Sequence, residues 1–264
     1  MILTIDIGNT TIGIGALEKT AQDDYTVCFT AKLASVRGRS RAAYLATLRS
    51  LLDSAGLSPD CFTGAALSSV VPELTEPLRG CACVLTGTEP VLLTAKSRTG
   101  LILDLPEPDK LGCDRLADAA WAAARFPLPV VTVDMGTATT FNVVNEGRVF
   151  LGGVIAPGMM TGLNALSSRA AQLPEIELCT PRQVIGRTTD ECMRAGAVAG
   201  AAAMIDGITA RIETELGRSA TLVMTGGLAR YVEPLCTHAH IYDPDMLLKG
   251  LALLYEWNAK SLAF

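Results

Sequence analysis

Hydrophobic positions in the first half of the chain fall into short, nearly unbroken runs bounded by glycine, threonine and asparagine. Ile2–Ile5, Gly13–Leu17, Val27–Ala31 and Ala65–Ser69 read as strands, and the second half repeats the pattern at Val130–Val133, Thr140–Val144, Val149–Val154 and Leu222–Thr225. Helical spacing appears at Ser40–Ala55, where Tyr44, Leu45, Leu48, Leu51 and Leu52 recur at i, i+3 and i+4, and also at Asp114–Arg125, Met159–Gln172, Thr189–Leu216 and Asp245–Lys260. Strand pairs followed by helices predict an α/β class with mixed sheets.

The two halves resemble each other. LTIDIGNTTIGIGALE aligns with VTVDMGTATTFNVVNEG: a strand, an aspartate, an apolar residue, glycine, small polar residues and a second strand. The expectation is two similarly built halves, 1–126 and 127–264, divided near Phe126-Pro127-Leu128-Pro129, each opening on a β-hairpin with Asp-x-Gly at its turn.

Such a turn suits phosphate chemistry. Glycine and small residues let backbone N–H groups come close to an anion, threonine adds hydroxyl donors, and a carboxylate holds a divalent ion that prefers oxygen ligands. Asp6-Ile7-Gly8-Asn9-Thr10-Thr11 and Asp134-Met135-Gly136-Thr137-Ala138-Thr139 each supply that set. Both aspartates are expected to face the phosphates and metal of one nucleotide. The chain has no G-x-x-x-x-G-K-S/T segment. Gly13-Ile14-Gly15 falls inside a strand without the third glycine of a dinucleotide fingerprint. Val223-Met224-Thr225-Gly226-Gly227 ends another strand on a glycine pair suited to a base or ribose lying against backbone.

Gly112-Cys113-Asp114-Arg115 precedes an alanine-rich helix. Asp114 reads equally as a helix-capping residue and as a general base for transfer of a phosphoryl group to a hydroxyl; Arg115 offers a planar fork to an anion or a surface ion pair.

Composition narrows the field. The chain has 264 residues, 49% hydrophobic and 19% charged, with a net charge of -5. That excludes extensive disorder and provides no basic patch for nucleic acid. No apolar run reaches the roughly 18 residues of a membrane span, and no leader pattern precedes Asp6. The eight cysteines follow no disulfide framework and read as reduced thiols. Cys236, His238 and His240 would share one face of a strand, but no matching ligand cluster occurs elsewhere, so the segment reads as a surface turn entering a strand at Ile241.

DIGNTT, SSVVPEL (68–74), GCDR, DMGTATT, GGVIAPGM (152–159), SSRAAQLPEIEL (167–178), IGRTTDECMRAG (185–196) and TGGL (225–228) occur in that order. The set resembles the type III pantothenate kinases over nearly the whole chain. The resemblance implies a duplicated actin-like (ribonuclease H-like) ATPase fold and ATP-dependent phosphorylation of pantothenate to 4'-phosphopantothenate, the first step of coenzyme A synthesis, in the cytoplasm. It implies a nucleotide-binding hairpin at Asp6, Ile7, Gly8, Asn9, Thr10, Thr11, Ile12 and Gly13, with Thr137 also on ATP. Pantothenate would lie against Gly112, Cys113, Asp114 and Arg115, with Asp114 as proton acceptor, and against Thr189. Asp134 matches a position holding a monovalent cation, K⁺ or NH₄⁺. That competes with Mg²⁺ from the hairpin chemistry, and the favoured assignment is the monovalent ion at Asp134 and Mg²⁺ near Asp6. Family members resemble homodimers whose partner completes each site, which the long alanine-rich helix after Thr189 suits. Departures are Cys113 where the family often has alanine, and Leu103-Asp104-Leu105 where a tyrosine is common. Weighed against this are a catalytically silent regulatory relative and another small-molecule kinase of the superfamily; the first would be favoured by loss of Asp6, Asp114 or Asp134, all present, and the second usually needs a longer chain.

Overall fold

A computed structural model describes residues 1–170 and 173–259. In chain order the elements are β1 (Ile2–Ile7), β2 (Thr11–Lys19), β3 (Tyr25–Ala34), α1 (Arg41–Ser54), β4 (Gly64–Ser69), α2 (Pro72–Thr86), β5 (Val91–Leu92), β6 (Ile102–Leu103), α3 (Cys113–Arg125), β7 (Val130–Met135), β8 (Ala138–Val144), β9 (Val149–Pro157), α4 (Met159–Arg169), α5 (Thr189–Leu216), β10 (Thr221–Thr225), α6 (Ala229–Val232), β11 (His240–Tyr242) and α7 (Met246–Ala259). All the expected strands and helices are present. The last two residues of the expected helix Met159–Gln172, two residues of the 167–178 motif, and Lys260 lie outside the described residues.

Contacts group the chain into two compact units. One comprises Met1–Leu101, Pro106–Trp121 and the described part of Asp245–Phe264; the other comprises Ile102–Leu105 and Ala122–Pro244. The grouping differs from a single division after residue 126 because α7 packs on β1, β2 and β4.

In the first unit the sheet order is β3-β2-β1-β4-β5, with β1 antiparallel to β2 and parallel to β4. Leu3, Ile5 and Ile7 project to one face with Ile12 and Ile14, where they meet Tyr44, Leu48 and Leu52 of α1 and Leu74, Leu78 and Leu85 of α2. Ala66 points to the opposite face, where Ala117 and Ala120 of α3 and Leu251 and Leu254 of α7 pack. Strand alternation puts Thr4, Asp6 and Ser68 on that second face. Helix α2 was not legible from spacing because prolines punctuate it. Pro72 occupies its first turn, where no N–H is needed, and Pro77 lies inside. Burial of Leu74, Leu78, Cys81, Ala82 and Leu85 along one stripe offsets the hydrogen bond that Pro77 forfeits.

In the second unit the order is β11-β10-β7-β8-β9-β6, with β7 antiparallel to β8 and parallel to β10. From β9 to β11 this repeats the first unit strand for strand. The irregularities repeat as well: the pairing slips between Ala16 and Leu17 in one unit and between Val143 and Val144 in the other. Each slip begins three residues beyond the partner of the hairpin aspartate, which is Gly13 for Asp6 and Thr140 for Asp134. Helix α5 starts at a capping box in which Thr188 and Glu191 satisfy each other's backbone amides, and it ends at Gly217 in the left-handed conformation. Among the described helices it alone is long and apolar enough to cross a membrane. Its Val198, Ala201, Ala202 and Ile205 pack on Val131, Val133 and Phe141 in the core of this unit.

Candidate active site

Asp6 and Asp134 occupy the same place in their hairpins, one residue before the end of the first strand. Each is partly buried, while Asn9, Thr10, Thr11 and Thr137 are exposed at the turns. The turns are built differently. In the first, Gly8 N–H donates to Thr11 O at 3.0 Å; in the second, Gly136 N–H donates to Ala138 O at 2.9 Å, so that the second turn is one residue shorter. Ile7 and Ile12 are fully buried in the apolar core. Their side chains are out of reach of a nucleotide at the turn. Gly13 stands opposite Asp6 in the ladder.

Around Asp6, the neighbouring parallel strand contributes Ser68 in direct register. The N-terminus of α3 lies on the same face: Cys113 packs at the edge of the Ala66–Ala117–Leu251 cluster, and its thiol donates to Leu93 O at 3.0 Å. Burial first, and then the charges of Asp114 and Asp6, push that thiol up to about 11. It therefore stays protonated at neutral pH. Gly112 O accepts the amide of Leu116 at 3.1 Å, starting the helix. Asp114 lies in the first turn of α3, where its Oδ1 accepts from the Arg115 amide at 2.8 Å and the helix dipole favours negative charge. Burial lowers the Arg115 pKa below its ordinary value, with Asp114 opposing. A hollow of about 630 Å³ adjoins this corner, lined by Ser69, Thr75, Leu93, Lys96, Asp109 and Cys113.

Around Asp134, Thr225 of β10 stands in parallel register and Thr140 in antiparallel register. The Thr225-Gly226 turn closes directly over the carboxylate: a side chain on Gly226 would come within 2.5 Å of Asp134 Oδ1 and of Met135 N. Gly226 has φ +94, which also excludes most L residues. The Thr137 carbonyl is tied down by Gly158 N–H at 3.1 Å and by the Thr161 hydroxyl at 2.7 Å. The start of α4 thus braces this turn, a role that the GGVIAPGM segment did not disclose in sequence. Thr189 is the exposed first residue of α5. Three residues on, Cys192 lines an apolar cleft of about 570 Å³ shared with Thr139, Gly158, Met159, Leu163 and Met193.

Strand β11 begins only at His240, so the shared-face argument for Cys236, His238 and His240 fails. His238 Nε2 lies 3.4 Å from Glu213 and His240 Nε2 3.8 Å from Glu233, on different partners. Among the described residues no three His, Cys, Asp or Glu side chains gather around one point. A divalent ion beside Asp6 would draw its remaining ligands from water and phosphate oxygens, as Mg²⁺ commonly does. The donor set fits that demand: one carboxylate beside a turn of exposed small polar residues.

A family model described as type III pantothenate kinase matches residues 2–211. The chain belongs to the type III pantothenate kinases. A relative bearing that name in Roseiflexus sp. (strain RS-1) is 37% identical over 258 residues, covering 98% of this chain and 99% of the relative. Another in Halalkalibacterium halodurans is 35% identical, covering 98% and 100%. Among solved structures, a conserved protein assigned to a Baf family of transcriptional activators from Campylobacter jejuni matches with TM-score 0.59 and 17% identity over 98% of this chain and 99% of its own. The activator of 2-hydroxyisocaproyl-CoA dehydratase from Clostridium difficile, with bound ADPNP, matches with TM-score 0.54 and 11% identity, covering 99% and 96%. A ROK hexokinase from Thermus thermophilus matches with TM-score 0.51 and 15% identity, covering 98% and 99%. At those identities the structures speak for the fold alone, an actin-like α/β fold with mixed sheets flanked by helices.

Proposed function

We propose that the chain transfers the γ-phosphoryl group of ATP to the 4'-hydroxyl of pantothenate, with Asp114 as the general base. What supports the reading is the packing of the start of α3, which bears Asp114, on the face of the first unit's sheet to which β1 turns Asp6: Cys113 reaches the cluster formed by Ala66 and Ala117. The pantothenate oxygen attacks the γ-phosphorus, its proton passes to the Asp114 carboxylate, and the bond to the ADP oxygen breaks. Asn9, Thr10 and Thr11 present polar groups to the phosphates, Gly8 leaves room for their close approach, Ile7, Ile12 and Gly13 form the hairpin backbone that frames them, and Thr137 also touches ATP. Asp6 would hold Mg²⁺, which neutralises phosphate charge when bound. Asp134 would hold K⁺ or NH₄⁺.

Pantothenate would lie against Gly112–Arg115, with the hollow beside Cys113 as its berth and Arg115 as a partner for its carboxylate. Thr189 completes the pocket from a second copy of the chain in a homodimer. The protein acts in the cytoplasm, with neither nucleic acid nor membrane as a partner. Incubation with MgATP, K⁺ and pantothenate, read by mass spectrometry, should give 4'-phosphopantothenate and ADP; unchanged pantothenate with ATP intact would favour the silent regulatory relative. Size-exclusion chromatography should give a particle of twice the chain mass.

A further inference from the structure

Ser68 is fully buried, and its hydroxyl is without a hydrogen-bond partner. Nearly all buried hydroxyls in folded proteins are paired, because leaving one unpaired is destabilising. Elsewhere β4 uses glycine, alanine and leucine at its buried positions, and an alanine here would leave no hydroxyl unpaired. The hydroxyl is retained at a cost that packing does not explain.

Its position supplies the explanation. Ser68 pairs with Asp6 in the parallel ladder, so the two side chains share the α3–α7 face as immediate neighbours. Cys113, at the start of α3 on this face, directs its proton to Leu93 O. The second unit repeats the arrangement: Thr225, on the strand equivalent to β4, stands in the same register beside Asp134. A hydroxyl beside each hairpin aspartate recurs in two halves whose sequences otherwise differ at these strands.

We infer that Ser68 is a positioning residue for Asp6, its hydroxyl held for the carboxylate in the orientation taken up when nucleotide and divalent ion bind. This rests on the reading of Asp6 as the ion-holding group. The O–H donates to one carboxylate oxygen and leaves the other facing the turn. Groups that orient a metal-binding carboxylate commonly change ion affinity by an order of magnitude or more.

The test compares Ser68→Ala with Asp6→Asn and the unaltered protein. Each is melted alone and with ADP at increasing Mg²⁺, and turnover is followed over the same Mg²⁺ series. Ser68→Ala should melt at the same or a higher temperature without ligand, because an orphaned polar group has been removed. The Mg²⁺ needed for half of the ADP-induced thermal shift, and for half-maximal turnover, should rise about tenfold, with KM for pantothenate unchanged. If Asp6→Asn raises the Mg²⁺ requirement and Ser68→Ala does not, the Ser68 inference is wrong and the hairpin reading stands. If neither raises it, both are wrong. Loss of several degrees in unliganded Ser68→Ala, or failure to fold, would show that the hydroxyl already serves the resting structure and would overturn the inference.

Discussion

Gly112 and Asp114 are locked together: a Cβ on Gly112 would lie 2.4 Å from Asp114 Oδ1, inside the carboxylate itself. The glycine is a gap through which the acid curls back over the start of α3. Gly112→Ala should therefore displace the carboxylate rather than unfold the protein. A fall in kcat of about tenfold or more is expected, since small displacements of a positioned group carry penalties of that order. Circular dichroism should be unchanged. An alanine variant with full activity would mean that the carboxylate does its work elsewhere.

Asp114→Asn preserves shape and removes proton acceptance. The rate should drop by roughly 10²–10⁴, while the affinity for ATP, measured by calorimetry, stays within about twofold. Near-normal turnover would return Asp114 to its capping role.

Gly226→Ala meets both a positive φ and the Asp134 carboxylate. The strain should cost about 1–3 kcal/mol, visible as a lower melting temperature. Because the intruding methyl presses on Asp134, the K⁺ concentration for half-maximal activity should rise as well. A destabilised variant with unaltered K⁺ dependence would separate Asp134 from the monovalent ion.

Asp206 ties α5 to the Cys236–His238 segment. Burial raises its pKa most strongly, but the Thr237 hydroxyl and the amides of His238 and Thr237 together outweigh it and leave the carboxyl below its ordinary 3.8. A depressed carboxyl contributes stability that is complete above the unfolded value and disappears as pH falls through the lower folded one. Melting temperatures taken from pH 6 to about pH 2 should decline less steeply on the acid side for Asp206→Asn than for the unaltered chain. Parallel curves would show that the network is energetically silent.

The sheets were legible because β1, β4, β7 and β10 are nearly continuous apolar runs, and the duplication because Asp6 and Asp134 head matching hairpins. Helix α2 escaped because Pro77 breaks the local pattern and only the stripe from Leu74 to Leu85, visible once α1 is packed beside it, restores it. The short strands Val91–Leu92 and Ile102–Leu103 are too brief to show a period. At the site, residue types declared Asp6, Asp114 and Asp134. Ser68 stayed hidden because its significance lies in a register across strands that are far apart in sequence, and Gly226 because its close approach to Asp134 exists only after folding.

The docking of α7 on β1, β2 and β4 has a consequence for how the molecule is made. Leu251 and Leu254, which help to seal the outer face around Ala66 and Val91, lie far along the chain from the strands they cover. Until α7 has been made, that face of the sheet has only the cover that α3 supplies through Ala117 and Ala120. The Asp6 corner therefore acquires its full backing only when a segment made well after its own strands has docked.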